Sequence, residues 1–365
     1  MKALTIGGAM IDTIAIIDSD RIERMSMFNA ESSFLLLEEG GKTETKKIST
    51  HCGGGAVNAA ISMSRLGLDV AILIKLGRDA RAETVLTRLM EEGVSTRWVL
   101  RDCHAPTGAS VLISSHDRNA AIFTFRGANT LLGPADLHDD AFSVDAVYIS
   151  NLSNKSAECL PLIIEKSKKF NLIISVNPGL RQLSIYGSDF QKCLKYIDIL
   201  SLNRKEASAL VPHLVARAGE GGPMLHLSTE EDPSSIAIMG LSCGGFNMSL
   251  IGFCLALIAL GPKYIVLTDG NRGAFVATKD NIMFCPVAKC HVVGTAGAGD
   301  AFASTFTAFI TIGYSVEDAL CAATFNAASV VGHVDTQTGL QQIETIVSAL
   351  KDGFSVPTPH YWSLL

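Results

Sequence analysis

Hydrophobic positions along the chain fall into short continuous runs separated by longer stretches of helical spacing. Residues 3–6, 70–74, 146–149, 172–176, 197–200 and 264–267 are runs of four or five mostly apolar residues. Between them, residues 56–66, 82–90, 157–169 and 250–260 carry apolar side chains at helical intervals, and glycines close three of these stretches at Gly67, Gly93 and Gly261. Strands that are apolar throughout, rather than at every second position, belong to sheets covered on both faces. Their alternation with helices predicts mainly parallel pairing. The expected fold class is therefore α/β, a three-layer α/β/α core built on one mainly parallel sheet.

Two regions break this rhythm. Residues about 13–50 and about 97–125 contain apolar runs at 14–17, 34–37, 98–100, 109–113 and 121–125, with no helical stretch between them. These read as strands of a small separate β-sheet, placed beside the core as a lid. A decorated edge of the core is the alternative. Residues about 207–248 hold His213, Gly219, Gly221, Gly222, Pro223 and Pro233 with weak periodicity, and read as an irregular insertion. Residues 233–262 carry no charged side chain, which is long enough to span a bilayer. Serines, glycines and Asn247 interrupt that stretch, so a loop followed by a buried helix is the better reading.

Composition narrows the class. With 365 residues, 48% hydrophobic and 18% charged, the chain can bury a large core and has no disordered character. The formal net charge is -6 and the basic residues are scattered, so neither nucleic acid nor an anionic membrane is an expected partner. The nine cysteines include no C-x-x-C, and the closest pair is Cys285 and Cys290. They read as reduced thiols of a cytoplasmic protein. Asp12 interrupts the first apolar run, which argues against a signal peptide.

The segment richest in chemistry is Gly294-Thr295-Ala296-Gly297-Ala298-Gly299-Asp300. It follows an expected short strand at 290–293. After it, Phe302, Phe306, Phe309 and Ile310 fall on one face of a helix. Free backbone N–H groups at such a helix start favour an anion, and glycines let a phosphate approach the backbone closely. A carboxylate there, Asp300, either caps the helix or takes a proton from an attacking hydroxyl while the N–H groups hold a transferring phosphate.

Gly-Ala-Gly-Asp at a helix start resembles the signature of the PfkB carbohydrate kinases, the ribokinase family. Further segments match in order over nearly the whole chain. Gly7-Gly8-Ala9-Met10-Ile11-Asp12 is similar to the first family strand with its substrate-contacting aspartate. His51-Cys52-Gly53-Gly54-Gly55-Ala56-Val57-Asn58, running on to Arg65-Leu66-Gly67, is similar to the family's first glycine signature. Arg126-Gly127-Ala128-Asn129 looks like the stretch where the chain returns from the lid. Asn203-Arg204-Lys205-Glu206 resembles an Asn-x-x-Glu motif, and Thr268-Asp269-Gly270-Asn271-Arg272-Gly273 a nucleotide loop.

The resemblance implies a ribokinase-like fold and ATP-dependent phosphorylation of a hydroxyl, probed first as a primary one, on a small sugar or nucleoside. It makes Asp300 the general base within an anion hole formed by Gly297, Ala298 and Gly299. Asp12, Gly54, Gly55 and Asn58 would hold the substrate. Asn203, Thr268, Gly270, Gly273 and Asn326 would lie along ATP. Glu206 and Asn203 would hold Mg²⁺ through its waters. Asn203 and Glu206 also fit a plain capping box, Asn58 an exposed polar helix position, the loop glycines simple turns, and Asn326 packing. A homodimer formed through the lid is a further expectation.

Three departures stand out. Gly294 occupies a position where the family usually has aspartate at a monovalent-cation site, which leaves potassium activation open. Ser175 replaces an acidic residue in Ser175-Val176-Asn177-Pro178-Gly179-Leu180-Arg181, and Gly55 stands where ribokinases tend to have lysine. Gly294 and Ser175 motivate an alternative, a non-catalytic ligand-binding or regulatory protein on the same scaffold. A dinucleotide-dependent oxidoreductase fits poorly, because the first turn lacks G-x-G-x-x-G spacing.

Overall fold

The computed structural model describes residues 1–17, 23–26, 33–36, 40–115, 120–223, 225, 235–353 and 355–364. In chain order the strands begin with β1 (Lys2–Ile6), β2 (Met10–Ile17), β3 (Glu23–Ser26), β4 (Ser33–Leu36), β5 (Lys47–Gly53), β6 (Asp69–Leu76), β7 (Ser95–Arg101), β8 (Gly108–Ser115) and β9 (Ala120–Phe125). They continue with β10 (Ala146–Ile149), β11 (Ile173–Val176), β12 (Ile199–Asn203), β13 (Leu241–Cys243), β14 (Phe246–Met248), β15 (Tyr264–Thr268), β16 (Ala274–Ala277), β17 (Asn281–Cys285) and β18 (His360–Ser363). The helices are α1 (Gly55–Arg65), α2 (Ala80–Glu91), α3 (Leu160–Lys169), α4 (Leu180–Cys193), α5 (Arg204–Ala218), α6 (Ile236–Met239), α7 (Leu250–Ile258), α8 (Ala298–Ile312), α9 (Val316–Val330) and α10 (Ile343–Asp352).

A 10-stranded sheet runs in the order β18-β17-β16-β15-β12-β11-β10-β1-β6-β7. Pairing is parallel from β15 through β7 and antiparallel among β15, β16, β17 and β18. Successive side chains of the central strands enter two different cores. Val147 and Ile149 point into one with α3, α4, α5 and α7, while Tyr148 points into the other with α1, α2, α8, α9 and α10. Leu200 and Leu202 against Ile199, and Ile265 and Leu267 against Val266, repeat the split. Strands apolar at every position are what such a doubly covered sheet requires. The result is the three-layer α/β/α fold expected from the pattern.

A second, 4-stranded sheet has the order β5-β2-β8-β9. It begins at Met10, three residues before the expected boundary, because β2 starts directly after the turn that leaves β1. Trp98–Leu100 was expected in this sheet but lies in β7, parallel to β6 at the edge of the large one. An apolar run announces a strand without saying which sheet it joins. The first twelve residues of the expected insertion, 207–218, are helical within α5, which buries Ala207, Leu210, Val211 and Leu214. Pro212 and His213 masked that i, i+3, i+4, i+7 spacing. Farther on come α6 and the β13–β14 hairpin, while residues 224 and 226–234 of that expectation, and 18–22, 27–32, 37–39 and 116–119 of the lid expectation, lie outside the described residues. No strand forms at 290–293. The chain there is held by Val293 and Gly294 N–H groups donating to the Val331 carbonyl at 2.8 and 3.1 Å. Among the described residues, no helix is long and apolar enough to cross a membrane.

Candidate active site

The parallel strands β1, β10, β11, β12 and β15 all end at one edge of the sheet, where open α/β folds place their ligand crevice. A cleft of about 290 Å³ lies there, lined among others by Asn177, Asn203, Glu206, Thr268, Gly299 and Asp300. A larger hollow of about 490 Å³ opens near the start of α2, beside Asp79, Glu83 and Arg101. Three of its charges are already engaged: Arg101 pairs with Glu83 at 2.8 Å, and Asp79 accepts from the Thr107 and Ala82 N–H groups at 2.7 and 2.9 Å. The smaller cleft, with carboxylates facing open space, is the candidate site.

The first turn of α8 forms one wall. Its N-cap is Gly297, in the left-handed region at φ 81, and no side chain caps it. Asp300 is thus the third helical residue rather than the cap. The N–H groups of Ala298, Gly299 and Asp300 have no acceptor within the helix, and the helix dipole adds partial positive charge at this end. A Cβ at Gly297 would come within 2.6 Å of the Thr336 side chain, whereas one at Gly299 would meet nothing within 4 Å. The Asp300 carboxylate accepts from Asn58 Nδ2 at 2.8 Å. Burial pushes its pKa above the ordinary carboxylate range; the Asn58 bond opposes this and the Asp12 charge adds to it.

The start of α1 packs directly against this turn through the Asn58–Asp300 bond. Gly54 sits at φ 97, and a Cβ on it would lie 2.5 Å from the Gly8 carbonyl oxygen. Asn58, only 4% exposed, has its Oδ1 filled by Thr336 Oγ1 at 2.9 Å and Gln337 Nε2 at 3.1 Å. Those two donors fix which way its amide faces. The expectation that Asn58 offers its whole amide to a substrate is corrected: its acceptor is taken and one N–H serves Asp300. A Cβ at Gly55 would stand 2.9 Å from Ser150 Cβ and 3.3 Å from Asp300 Oδ1, so the site has no room for lysine there. Asp12, on β2, accepts from Ser110 Oγ. Burial raises its pKa, against that bond and the influence of His51. Asn129 clasps the turn between β1 and β2 by accepting from the Ala9 N–H at 3.0 Å and donating to the Ala9 carbonyl at 2.7 Å.

On the opposite side, Asn203 and Glu206 form a reciprocal capping box. Glu206 N–H donates to Asn203 Oδ1 at 3.0 Å, and Asn203 N–H donates to Glu206 Oε2 at 2.9 Å. Both side chains still line the cleft. Burial pushes Glu206 up to about 7; its bonds to Asn203 oppose the shift, and the Asp300 charge reinforces it. Thr268 lies beside Asn203 in the β12–β15 register. Gly270, at φ 62, has open space where a Cβ would be, whereas a Cβ at Gly273 would press on the Cys285 carbonyl at 2.5 Å.

Asn326 is a correction. It is fully buried, its Nδ2 bonded to Thr305 Oγ1 at 2.8 Å and its Oδ1 to the Gln341 N–H at 2.9 Å. It ties α9 to α8 and presents no face to a nucleotide. The departures at Gly294 and Ser175 also have local reasons. A Cβ at Gly294 would meet the His333 carbonyl at 2.9 Å, and buried Ser175 shares a 2.7 Å hydrogen bond with Thr307. Thr336 and Gln337 escaped the sequence reading. They meet Asn58 from 278 and 279 residues away, and no spacing rule reaches that far.

A family profile described as pfkB family carbohydrate kinase matches residues 15–225 and 249–343. A deoxyribokinase of Salmonella typhi is 26% identical over 335 residues, which cover 91% of this chain and 96% of its own. A ribokinase of Dictyostelium discoideum is 24% identical over 298 residues, 78% of this chain and 85% of its own. Among solved structures, Arabidopsis thaliana ribokinase complexed with ribose and ATP has a TM-score of 0.69 at 20% identity, covering 96% of this chain and 98% of its own. A putative ribokinase II from E. coli, in complex with ATP and Mg²⁺, has a TM-score of 0.70 at 18% identity, covering 96% and 99%. These structures share the fold.

Proposed function

Since the chain belongs to the pfkB family of carbohydrate kinases, we propose that it transfers the γ-phosphoryl group of ATP to a hydroxyl, a primary one, of a small sugar or nucleoside, with Asp300 as general base. One observation carries this reading. The Asn58–Asp300 hydrogen bond brings a carboxylate from the first turn of α8 against the start of α1, beside a row of free main-chain N–H groups.

In this scheme the substrate lies over Gly54 and Gly55, reached by Asp12 from the small sheet, which serves as the lid. Asp300 takes the proton of the attacking hydroxyl at the carboxylate oxygen left free by Asn58. Its raised proton affinity favours taking up that proton. The N–H groups of Ala298, Gly299 and Asp300 receive the charge on the transferring phosphoryl group. Thr268 and Gly270 border the nucleotide phosphates, and Gly270 leaves its backbone open to them. Gly273 and Asn326 act through packing.

Mg²⁺ fits the remaining donors. Among the described residues no cluster of three His, Cys, Asp or Glu could hold a metal alone. Glu206 and Asn203 offer hard oxygens beside Asp300, and Glu206 carries a charge that burial penalises. An ion held by these two residues, by waters and by the nucleotide suits the reluctance of Mg²⁺ to lose its hydration. When bound it neutralises phosphate charge.

The test is an assay of ATP consumption over a panel of sugars and nucleosides, run on wild type and Asp300→Asn. The variant should lose about 10²–10⁴-fold in turnover, the usual cost of a positioned base, with ATP affinity by calorimetry unchanged. Near-normal turnover would remove Asp300 from the mechanism.

A further inference from the structure

The small sheet carries a polar row that the scheme above uses only in part. Thr124 on β9 pairs with Ser110 on β8, Ser110 with Asp12 on β2, and Asp12 with His51 on β5. Directly opposed residues project on the same face of a sheet, with Cβ atoms about 4.5–5.5 Å apart. His51 therefore stands next to Asp12 on one face, while its neighbour Cys52 points the other way and donates to the Thr84 carbonyl of α2 at 3.6 Å. Ser110 bonds the Asp12 carboxylate from the other side.

His51 Nε2 is buried and has no protein partner among the described residues. A buried ring nitrogen without a partner is costly, and such groups concentrate where a ligand supplies the missing bond. The loop bearing Thr336 and Gln337, which fixes Asn58, places Asp335 within electrostatic reach of His51, as is Asp12. Two carboxylates around this imidazole disfavour a phosphate or carboxylate substituent. They favour neutral hydroxyls, which donate to a carboxylate and either donate to or accept from an imidazole.

We propose that His51 is a specificity-determining residue, hydrogen-bonding through Nε2 a hydroxyl adjacent to the one Asp12 holds, so that the pair selects a neutral polyol with neighbouring hydroxyls. The inference rests on the kinase reading. A histidine that merely packs the strand would affect stability without discriminating between substrates.

The experiment uses the full chain and the acceptor that wild type phosphorylates with the highest kcat/KM, together with its single-deoxy analogues. His51→Ala should raise KM for the parent acceptor by about tenfold, the value of one lost hydrogen bond, with kcat changed far less. One deoxy analogue should suffer the same loss with wild type and no added loss with His51→Ala. His51→Gln, which keeps a polar side chain, should recover part of the affinity, and thermal unfolding of each variant separates recognition from folding. An unchanged KM in His51→Ala, an equal penalty for every analogue, or a KM that rises only in step with lost thermal stability overturns the assignment while leaving the kinase reading intact. A wild type that phosphorylates no polyol overturns both.

Discussion

Two helix starts, α1 and α8, meet at the Asn58–Asp300 hydrogen bond. Each opens with a glycine at positive φ and no side-chain cap, Gly54 at φ 97 and Gly297 at φ 81. The sequence makes them look alike, yet their glycines answer to different causes. At α1 the molecule itself fills the space: the Gly8 carbonyl and Ala9 Cα stand 2.5 and 2.7 Å from where a Cβ of Gly54 would be. At α8 the N-cap Gly297 is also filled, by Thr336 at 2.6 Å, whereas the exposed Gly299 has no neighbour within 4 Å of that point. Gly54 lets two backbones touch, Gly297 makes room for Thr336, and Gly299 leaves its surface open. A glycine signature therefore divides into a packing part and an open part only when the neighbours are known.

That division can be broken or sharpened by experiment, ranked here by effect on stability. Gly54→Ala should be the most damaging. The strained backbone alone costs about 1–3 kcal/mol, and the close carbonyl adds to it; denaturant unfolding measures the loss. Wild-type stability would show that α1 can relax away from β1 and would erase the contrast.

The next effect is electrostatic and belongs to the α8 side. Glu206, pushed up to about 7 from an ordinary 4.5, contributes stability that is fully present below its unfolded pKa and is lost as pH rises through about 7. Asp300 and Asp12, also raised, act in the same direction. The unliganded protein should lose melting temperature between about pH 4.5 and 7, and Glu206→Gln should flatten part of that fall. An unchanged slope in the variant would mean that Glu206 does not titrate there.

Gly299→Ala should have the smallest structural effect, within about 0.5 kcal/mol of wild type or slightly stabilising. Turnover should nevertheless drop by about tenfold or more, because the new methyl occupies the approach to an anion hole whose single contacts are worth up to about 10²–10³-fold. Full activity in this variant would show that the phosphate approaches from elsewhere.

Legibility in the sequence followed the range of the forces involved. Apolar runs located β1, β6, β10, β12 and β15 within a few residues, since burial on both faces leaves a local mark. The assignment of Trp98–Leu100 to the wrong sheet shows the limit: hydrophobicity reports that a strand is buried, not who its neighbour is. Helix α5 was readable in Ala207, Leu210, Val211 and Leu214, but Pro212 and His213 drew attention to the breaks. Asp300, Asn58 and Asp12 were legible as candidates because each sits in a motif. Asn326 was misjudged because a fully buried asparagine and an exposed one are written with the same letter. Thr336 and Gln337 carried no signal, because their contacts with Asn58 follow from a loop that only folding brings near.

The clasp between Asn129 and Ala9 has a mechanical consequence. One side chain grips both the donor and the acceptor of a single peptide residue, at the point where the chain leaves the large sheet for the small one. It ties the residue just before β2 to the short turn Gly127–Thr130 that follows β9, so the first and last strands of the small sheet leave the large one from a common anchor.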